Sequence, residues 1–481
     1  LSNFGGAATV YRHGALTMEA SLHETDGATV FAPHGVFARL GLQDRLRPVP
    51  TEIFYEVRGG PLSSAVRVPH GLAAAESALA DARPEAAKAL AAHFHDLARL
   101  YQSIDDLQDM AVRGPSALLG TLFSGRLFEL VAQARRTVTD QYDRAFGEDE
   151  TSKLILAAVL AYFDDDPAEL SHLMYSGVWA RYVEDGSYYF DGGSRALTMA
   201  LLKLIREGGG EARRNVTVTG ITLDETGQAN GVRVRDGEGD EYVARGRIGL
   251  GGAAPEALAS MLPEGQAQAL RKAHRDHTPA ISLFNVSLGL HEPAERFGVA
   301  AYSTFVLPDD LTRLSDYPAA CARFGAAPGD AMPPYAVADY GRLDAGIRRD
   351  GDLYLVSLCG VDRMARWEDL SEEEEMARRA AWTDALIADV DRHYPGLACA
   401  VVQSEIATAR TMMNRLGTPE GSVYGFRPTP SRVFGGRPRA ATPVPGLYLA
   451  SAYTVSGGYS GAMHGGLMAA DEALRAVAMA G

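Results

Sequence analysis

The stretch GLYLASAYTVSGGYSGAMHGGLMAAD, from Gly446 to Asp471, decides how the chain is read. Leu447 to Ala450 is a short apolar run, as expected of a strand buried on both faces. Gly457-Gly458 interrupts it with a turn where backbone passes close to something. Ser460, Gly461, Ala462, Gly465, Gly466, Ala469 and Ala470 follow, small residues suited to a helix packed tightly against a neighbour or a ligand. Strand, glycine turn and helix put the first free N–H groups of a helix at the carboxyl end of a strand. That is either an anion-binding corner or an ordinary tight strand-to-helix connection.

Upstream, a second stretch has the same character. Tyr189-Phe-Asp-Gly-Gly-Ser194 reads as an extended run, a glycine turn and a helix cap. Leu197, Ala200, Leu201, Leu204 and Ile205 then fall on one helical face, opposite Arg195, Lys203, Arg206 and Glu207. Gly208 to Gly210 ends that helix. Val216, Val218 and Leu223, then Val232 and Val234, alternate with polar residues, and Asp236-Gly237 is a turn signal. Ile248-Gly-Leu-Gly-Gly-Ala-Ala254 closes the unit, and glycines 249, 251 and 252 suggest backbone that approaches a ligand. Strand, helix and meander together make half of a dinucleotide-type domain.

Between these glycine-rich edges lie two larger blocks. Residues 72–176 read as helices over 72–82, 84–103, 117–146 and 150–162, with Pro84 in a first turn. Asp166-Pro167-Ala-Glu169 reads as the cap of one more. Their apolar side chains could form a bundle core, line a pocket or lie on a membrane surface. Residues 277–410 alternate: strands at 281–290, 301–307, 335–338, 353–358 and 401–407, and a helix at 370–394 whose Glu372 to Glu375 suit the positive end of its dipole. At the start, Gly5-Gly6 is a turn, and runs around Val10 and Leu16 flank a hairpin turn at His13-Gly14. His23 sits among polar loop residues and reads as structural or solvated before it reads as catalytic.

The 481 residues suffice for two or three domains sharing large cores. A net charge of −15, with no long basic run, argues against nucleic acid as a partner, because phosphate binding needs a Lys/Arg footprint. Cys321, Cys359 and Cys399 show no CxxC spacing and read as reduced structural thiols, with no metal site. No apolar run approaches the roughly 20 residues that span a bilayer. Composition thus suggests a soluble, cytoplasmic protein. The helical block leaves room for peripheral membrane contact, and oligomeric state stays open.

The motifs, in this order, resemble the phytoene desaturase group of FAD-dependent oxidoreductases; carotenoid isomerases and retinol saturases are similar. The resemblance rests on Tyr189 to Ser194, Gly209-Gly-Glu211, Val216 to Ile221, Gly231 to Val234 and Ile248 to Pro255. It also rests on Thr418-Pro-Glu-Gly-Ser-Val-Tyr-Gly-Phe-Arg-Pro-Thr429, on Gly446 to Asp471 and on the double glycine Gly5-Gly6. It implies a mixed α/β fold: a Rossmann-like FAD-binding domain built from 1–70, 181–265 and 409–481. A helical cap at 71–180 and a substrate domain with an antiparallel sheet at 266–408 would be inserted in it.

The resemblance also implies FAD and an apolar, conjugated small-molecule substrate whose carbon–carbon bonds are desaturated, saturated or isomerised. Val218 would meet the adenine end, and Gly251, Gly252, Gly5 and Gly6 would flank the diphosphate and ribityl chain. Ala452, Gly458, Tyr459, Ser460, Gly461 and Ala462 would surround the isoalloxazine. His464, Tyr453 and Tyr459 are the catalytic candidates, each with packing as the alternative.

Three departures accompany the resemblance. The GxGxxG of an N-terminal strand–turn–helix is absent, so a segment preceding Leu1 is expected in the natural protein. Ala7 stands where an arginine often follows the double glycine, and Ser451-Ala452 replaces a Gly-Asp or Gly-Ala. Two other readings stay open: amine oxidase-type C–N oxidation, and a flavin-free scaffold. Against the scaffold stand glycines 251, 252, 457, 458 and 461, for which it would have little use.

Overall fold

The computed structural model describes residues 4–113, 130–131, 133–434 and 439–480. Its largest layer is a seven-stranded sheet. In chain order the strands of the molecule are β1 (Val10–His13), β2 (Leu16–Glu19), β3 (Thr25–Asp26), β4 (Pro48–Pro50), β5 (Tyr55–Gly59), β6 (Val66–Val68), β7 (Ser187–Phe190), β8 (Thr217–Leu223) and β9 (Ala229–Arg235). They continue with β10 (Glu241–Arg245), β11 (Gly249–Gly251), β12 (Ser282–Leu290), β13 (Ser303–Leu307), β14 (Tyr335–Asp339), β15 (Tyr354–Asp362), β16 (Val401–Ala407) and β17 (Leu447–Leu449).

The large sheet runs β16-β12-β15-β14-β13-β5-β6. All its pairs are antiparallel except β13 with β5, which are parallel. Strands from the first 70 residues thus complete the sheet built by 277–410, and no alternation within that later segment announces them. Helix Glu372–His393 covers one face through Trp382, Leu386 and Val390. Ser371 caps it in a reciprocal box with Glu374. The other face carries the helical block, whose core includes Leu90, Phe94, Leu97, Tyr142, Leu160 and Trp179.

The glycine-rich edges form smaller sheets. β11 and β17 pair in parallel, Gly249 opposite Leu447 and Gly251 opposite Leu449. Leu447, Tyr448 and Leu449 are buried, as a strand covered on both faces requires. Helix Gly458–Ala480 returns from β17. The meander β8-β9-β10 stands beside this pair, and β7 lies between β3 and β4 in a third sheet. That last sheet places residues 21–29 alongside the start of helix Gly458–Ala480.

Several local expectations differ from what forms. Asp166-Pro167 makes only a turn; the helix begins at His172, capped by Ser171. Ser171 is extended, and longer-range bonds hold the chain there, Val138 N–H to Leu170 O at 3.0 Å and Ser171 N–H to Pro428 O at 2.9 Å. The expected helix over 117–146 lies partly outside the described residues. Its described end is broken at Thr137, whose hydroxyl caps a separate helix, Val138–Phe146. The expected 150–162 helix is α-helical only to Leu156 and becomes a tighter 3₁₀ turn from Ala158 to Tyr162. Ile205, assigned to the apolar face, is 47% exposed, and Leu202 is buried instead. Among the described residues no helix is long and apolar enough to cross a membrane.

Candidate active site

The corner formed by β17 and helix Gly458–Ala480 opens on a cavity of about 2360 Å³. Gly458 sits at φ +73°, and a Cβ built there meets nothing within 4 Å. The helix therefore starts on a residue only glycine adopts without strain, with empty space before it. Gly461 has a different cause. A Cβ there would stand 1.9 Å from the Ser456 carbonyl oxygen, so the turn closes on itself. Gly457 is pressed by the Tyr424 backbone, 2.6 Å from its Cβ position, and Gly251 by the Leu258 side chain, also at 2.6 Å. Internal packing accounts for these three, which corrects the expectation that a scaffold has little use for them. Gly252, where a Cβ would come no nearer than 3.8 Å to Ala450 O, and Gly458 keep open space.

Residues 21–29 run past this helix start and are fastened to it. The Ser21 and Tyr459 hydroxyls lie 2.8 Å apart, and Ser21 also donates to Ala7 O at 2.8 Å. Ser460 donates to Asp26 Oδ2 at 3.3 Å and contacts the Thr29 hydroxyl. Asp26 in turn caps helix Gly27–Phe31, accepting the Thr29 N–H at 2.9 Å. Gly5 and Gly6 precede Ala7, and Ala8 O accepts the Thr198 hydroxyl at 2.7 Å. The chain ends of three separate segments are thus tied together at one point.

Of the residues singled out from the sequence, Tyr453, Gly458, Tyr459, Ser460, Gly461 and His464 line the cavity. Gly5, Gly6, Val218, Gly251, Gly252, Ala452 and Ala462 lie off its wall. Val218 is 41% exposed on β8. Tyr453 packs edge-on against Phe426, and burial raises its phenol above the ordinary value. Burial likewise raises Tyr459. His464 is on an exposed helix face, its Nδ1 2.8 Å from Ser460 O.

From the helix start the cavity continues along the helical block, past Val159, Met174 and Val178, and reaches Leu283 of β12. Phe54, Tyr162, Phe163, Trp179, Tyr182 and Tyr424 make an aromatic chamber there. Two ionisable side chains project into it that sequence reasoning did not select. His23 Nδ1 lies 2.8 Å from the Tyr162 hydroxyl, and burial pushes the imidazole down to about 4, so it is neutral at pH 7. Glu24 Oε2 is buried and has no hydrogen-bond partner. Burial pushes this carboxyl up to about 8, against the pull of the Ser187 hydroxyl. The backbone around both is fixed by tyrosines: Tyr340 donates to Leu22 O at 2.9 Å, Tyr302 to His23 O, and Tyr182 to Glu24 O at 3.4 Å. Only the adjacency of a histidine and a glutamate in a short polar segment hinted at this, and nothing local says that distant tyrosines enclose it.

Beside Tyr453, Arg432 lies over the Phe426 ring at 4.7 Å and donates to Tyr453 O at 3.2 Å, and His274 stacks on the same ring. Behind the chamber, Arg427 grips Asp164 with two bonds of 2.6 Å, and Arg363 grips Asp165. Asp164 is fully buried. This pair of clamps ties the helical block to the large sheet and to the segment preceding β17.

Comparison with known proteins agrees with this architecture. The family described as Flavin containing amine oxidoreductase matches residues 24–478. The All-trans-retinol 13,14-reductase of Danio rerio is 24% identical over 374 residues, covering 73% of this chain and 59% of the relative. The chain therefore spans about 59% of the length of that curated relative. Among solved structures, an oxidoreductase from Methanosarcina mazei superposes with a TM-score of 0.59 at 14% identity, over 98% of this chain and 92% of that one. Cyclohexylamine Oxidase from Brevibacterium oxydans IH-35A gives 0.55 at 15% identity, over 99% and 91%. These two likenesses concern the fold.

Proposed function

The chain belongs to the flavin containing amine oxidoreductase family, and from that premise we propose that it oxidises or reduces a carbon–carbon bond of an apolar, conjugated substrate. Its cofactor is FAD. The residues present fit that group: Gly458, on the cavity wall, leaves open space that a side chain would fill, and a helix starts there. In this reading the start of helix Gly458–Ala480, with Ala452, would hold the isoalloxazine. Gly5, Gly6, Gly251 and Gly252 would flank the ribityl chain and diphosphate, and the Val218 backbone would meet the adenine. When bound, the flavin supplies hydride transfer. The helix start favours negative charge at the ring it faces. The Asp26–Ser460–Thr29 contacts hold that start in place.

The observation that carries the substrate class is the aromatic chamber, continuous with the glycine corner and walled by Phe54, Tyr162, Trp179 and Tyr424. Aromatic walls favour an apolar, conjugated substrate and help to exclude water from the reacting bond. Within the family this favours the phytoene desaturase and retinol saturase kind of chemistry. The sequence similarity to a retinol reductase supports the same reading. Amine oxidation is the second reading, because Glu24 and Asp26 are carboxyls on the cavity wall. It is weakened by burial of Glu24, which disfavours the fixed charge that an ammonium group would pair with.

The test is anaerobic mixing of the FAD-loaded protein with two panels. Reduced flavin that is reoxidised by a conjugated polyene alcohol, or oxidised flavin that is bleached by its saturated form, supports carbon–carbon chemistry. Bleaching by alkylamines alone would replace it with the amine reading.

A further inference from the structure

Glu24 and Asp185 each keep one buried carboxyl oxygen without a hydrogen bond on the cavity wall, but Asp185 is paired with Arg181 at 3.5 Å and accepts the Tyr101 hydroxyl at 2.6 Å, and Glu24 has no such cation among the described residues. Glu19 accepts the Tyr189 hydroxyl at 2.6 Å and the Ser194 N–H and hydroxyl at 2.9 and 2.6 Å. Asp164, Asp362 and Asp389 each hold hydrogen-bond partners. Glu24 keeps one oxygen unpartnered, on the wall of the aromatic chamber, two residues before the Asp26 that accepts the Ser460 hydroxyl at the helix start. A buried polar atom left without a partner is costly, so its retention at a cavity wall points to a partner supplied by the ligand.

We propose that Glu24 is a catalytic residue that exchanges a proton with the substrate carbon adjacent to the one exchanging hydride. The assignment rests on the carbon–carbon reading above. In the reducing direction one alkene carbon receives hydride from reduced FAD. The π pair forms a C–H bond to the other carbon with the Glu24 proton. The substrate gains two electrons and two hydrogens, FAD is left oxidised, and Glu24 is left as a carboxylate that recovers its proton from water through the cavity mouth. The oxidising direction is the reverse: the Glu24 carboxylate takes the proton, and the hydride goes to oxidised FAD.

The other groups in reach suit the task less. The titratable side chains around Glu24 are His23, Asp26, Tyr162, Tyr182 and Tyr302, with His70 beyond Ser187. Burial raises all three phenols well above their ordinary value, so they are poor acids near neutral pH. His23 is neutral and its Nδ1 is engaged by Tyr162. Asp26 is committed to the helix cap and to Ser460. Glu24 alone combines a free oxygen with a value of about 8, close to the working pH at which a general acid or base is most effective.

The test compares FAD-loaded wild type with Glu24→Gln, which keeps shape and removes the proton. Single-turnover polyene reduction in D₂O should fall about 10²- to 10⁴-fold, with polyene affinity, followed by the chromophore's absorbance, retained. Independently of turnover, the infrared spectrum of the substrate-free protein should show a protonated-carboxyl C=O band that disappears with a midpoint near pH 8 in wild type and is absent from Glu24→Gln. A variant that reduces polyenes at the wild-type rate, or a wild type without that band at pH 7, overturns the assignment. Wild type that turns over no polyene overturns the carbon–carbon reading itself, and the assignment with it.

Discussion

At the scale of single residues, two glycines near the helix start have different reasons for being glycine, and substitution separates them. Gly458→Ala places a side chain in open space at positive φ and should cost about 1 kcal/mol of stability. Gly461→Ala drives a methyl into the Ser456 carbonyl and should cost roughly 3 kcal/mol. Urea denaturation of both variants checks the order. Glu24 carries a pH prediction of opposite sign to a salt-bridged acid. Its folded value, about 8, lies above the ordinary 4.5, so the native state holds the proton longer. Wild-type stability is therefore lost as pH rises from about 4.5 through 8, and Glu24→Gln abolishes that loss. The variant's melting temperature should gain on wild type between pH 5 and pH 9. A constant difference would contradict the buried, protonated state.

Elements with strong local signals were legible in the sequence. The apolar run at 447–449, the acidic start of helix Glu372–His393 and the hairpin about His13-Gly14 all form as their residues dictate. Those set by distant partners were not. Asp166-Pro167 carries every local cue of a helix start, yet the bonds from Val138 N–H to Leu170 O and from Ser171 N–H to Pro428 O tie the chain to other segments, and the cap falls at Ser171. β5 and β6 join the large sheet through β13, nearly 250 positions later, which no local pattern encodes. The chamber was hidden for the same reason: His23 and Glu24 acquire their environment from tyrosines on other elements. The clamp behind them is testable. Arg427→Met leaves Asp164 buried without its main partner and should destabilise the protein by about 3–5 kcal/mol. Asp164→Asn together with Arg427→Met should recover part of that loss in a double-mutant cycle.

The whole molecule brings three stretches of chain to one cavity. Residues 21–39, the turn at 453–457 and the start of the closing helix line its glycine corner. The helical block and the large sheet make the aromatic chamber that leads from it. Ion pairs such as Arg39 with Asp471 fasten this assembly at its surface, and each should contribute no more than about 1 kcal/mol. The larger stabilisation should come from the cofactor that the corner fits. The most direct measurement is a titration of the full-length natural protein with FAD, followed by flavin absorbance and thermal unfolding. The expected result is a perturbed flavin spectrum and, at about 100 times the dissociation constant, roughly 2.7 kcal/mol of added stability. A folded protein that leaves both the flavin spectrum and the melting temperature unchanged would contradict the account.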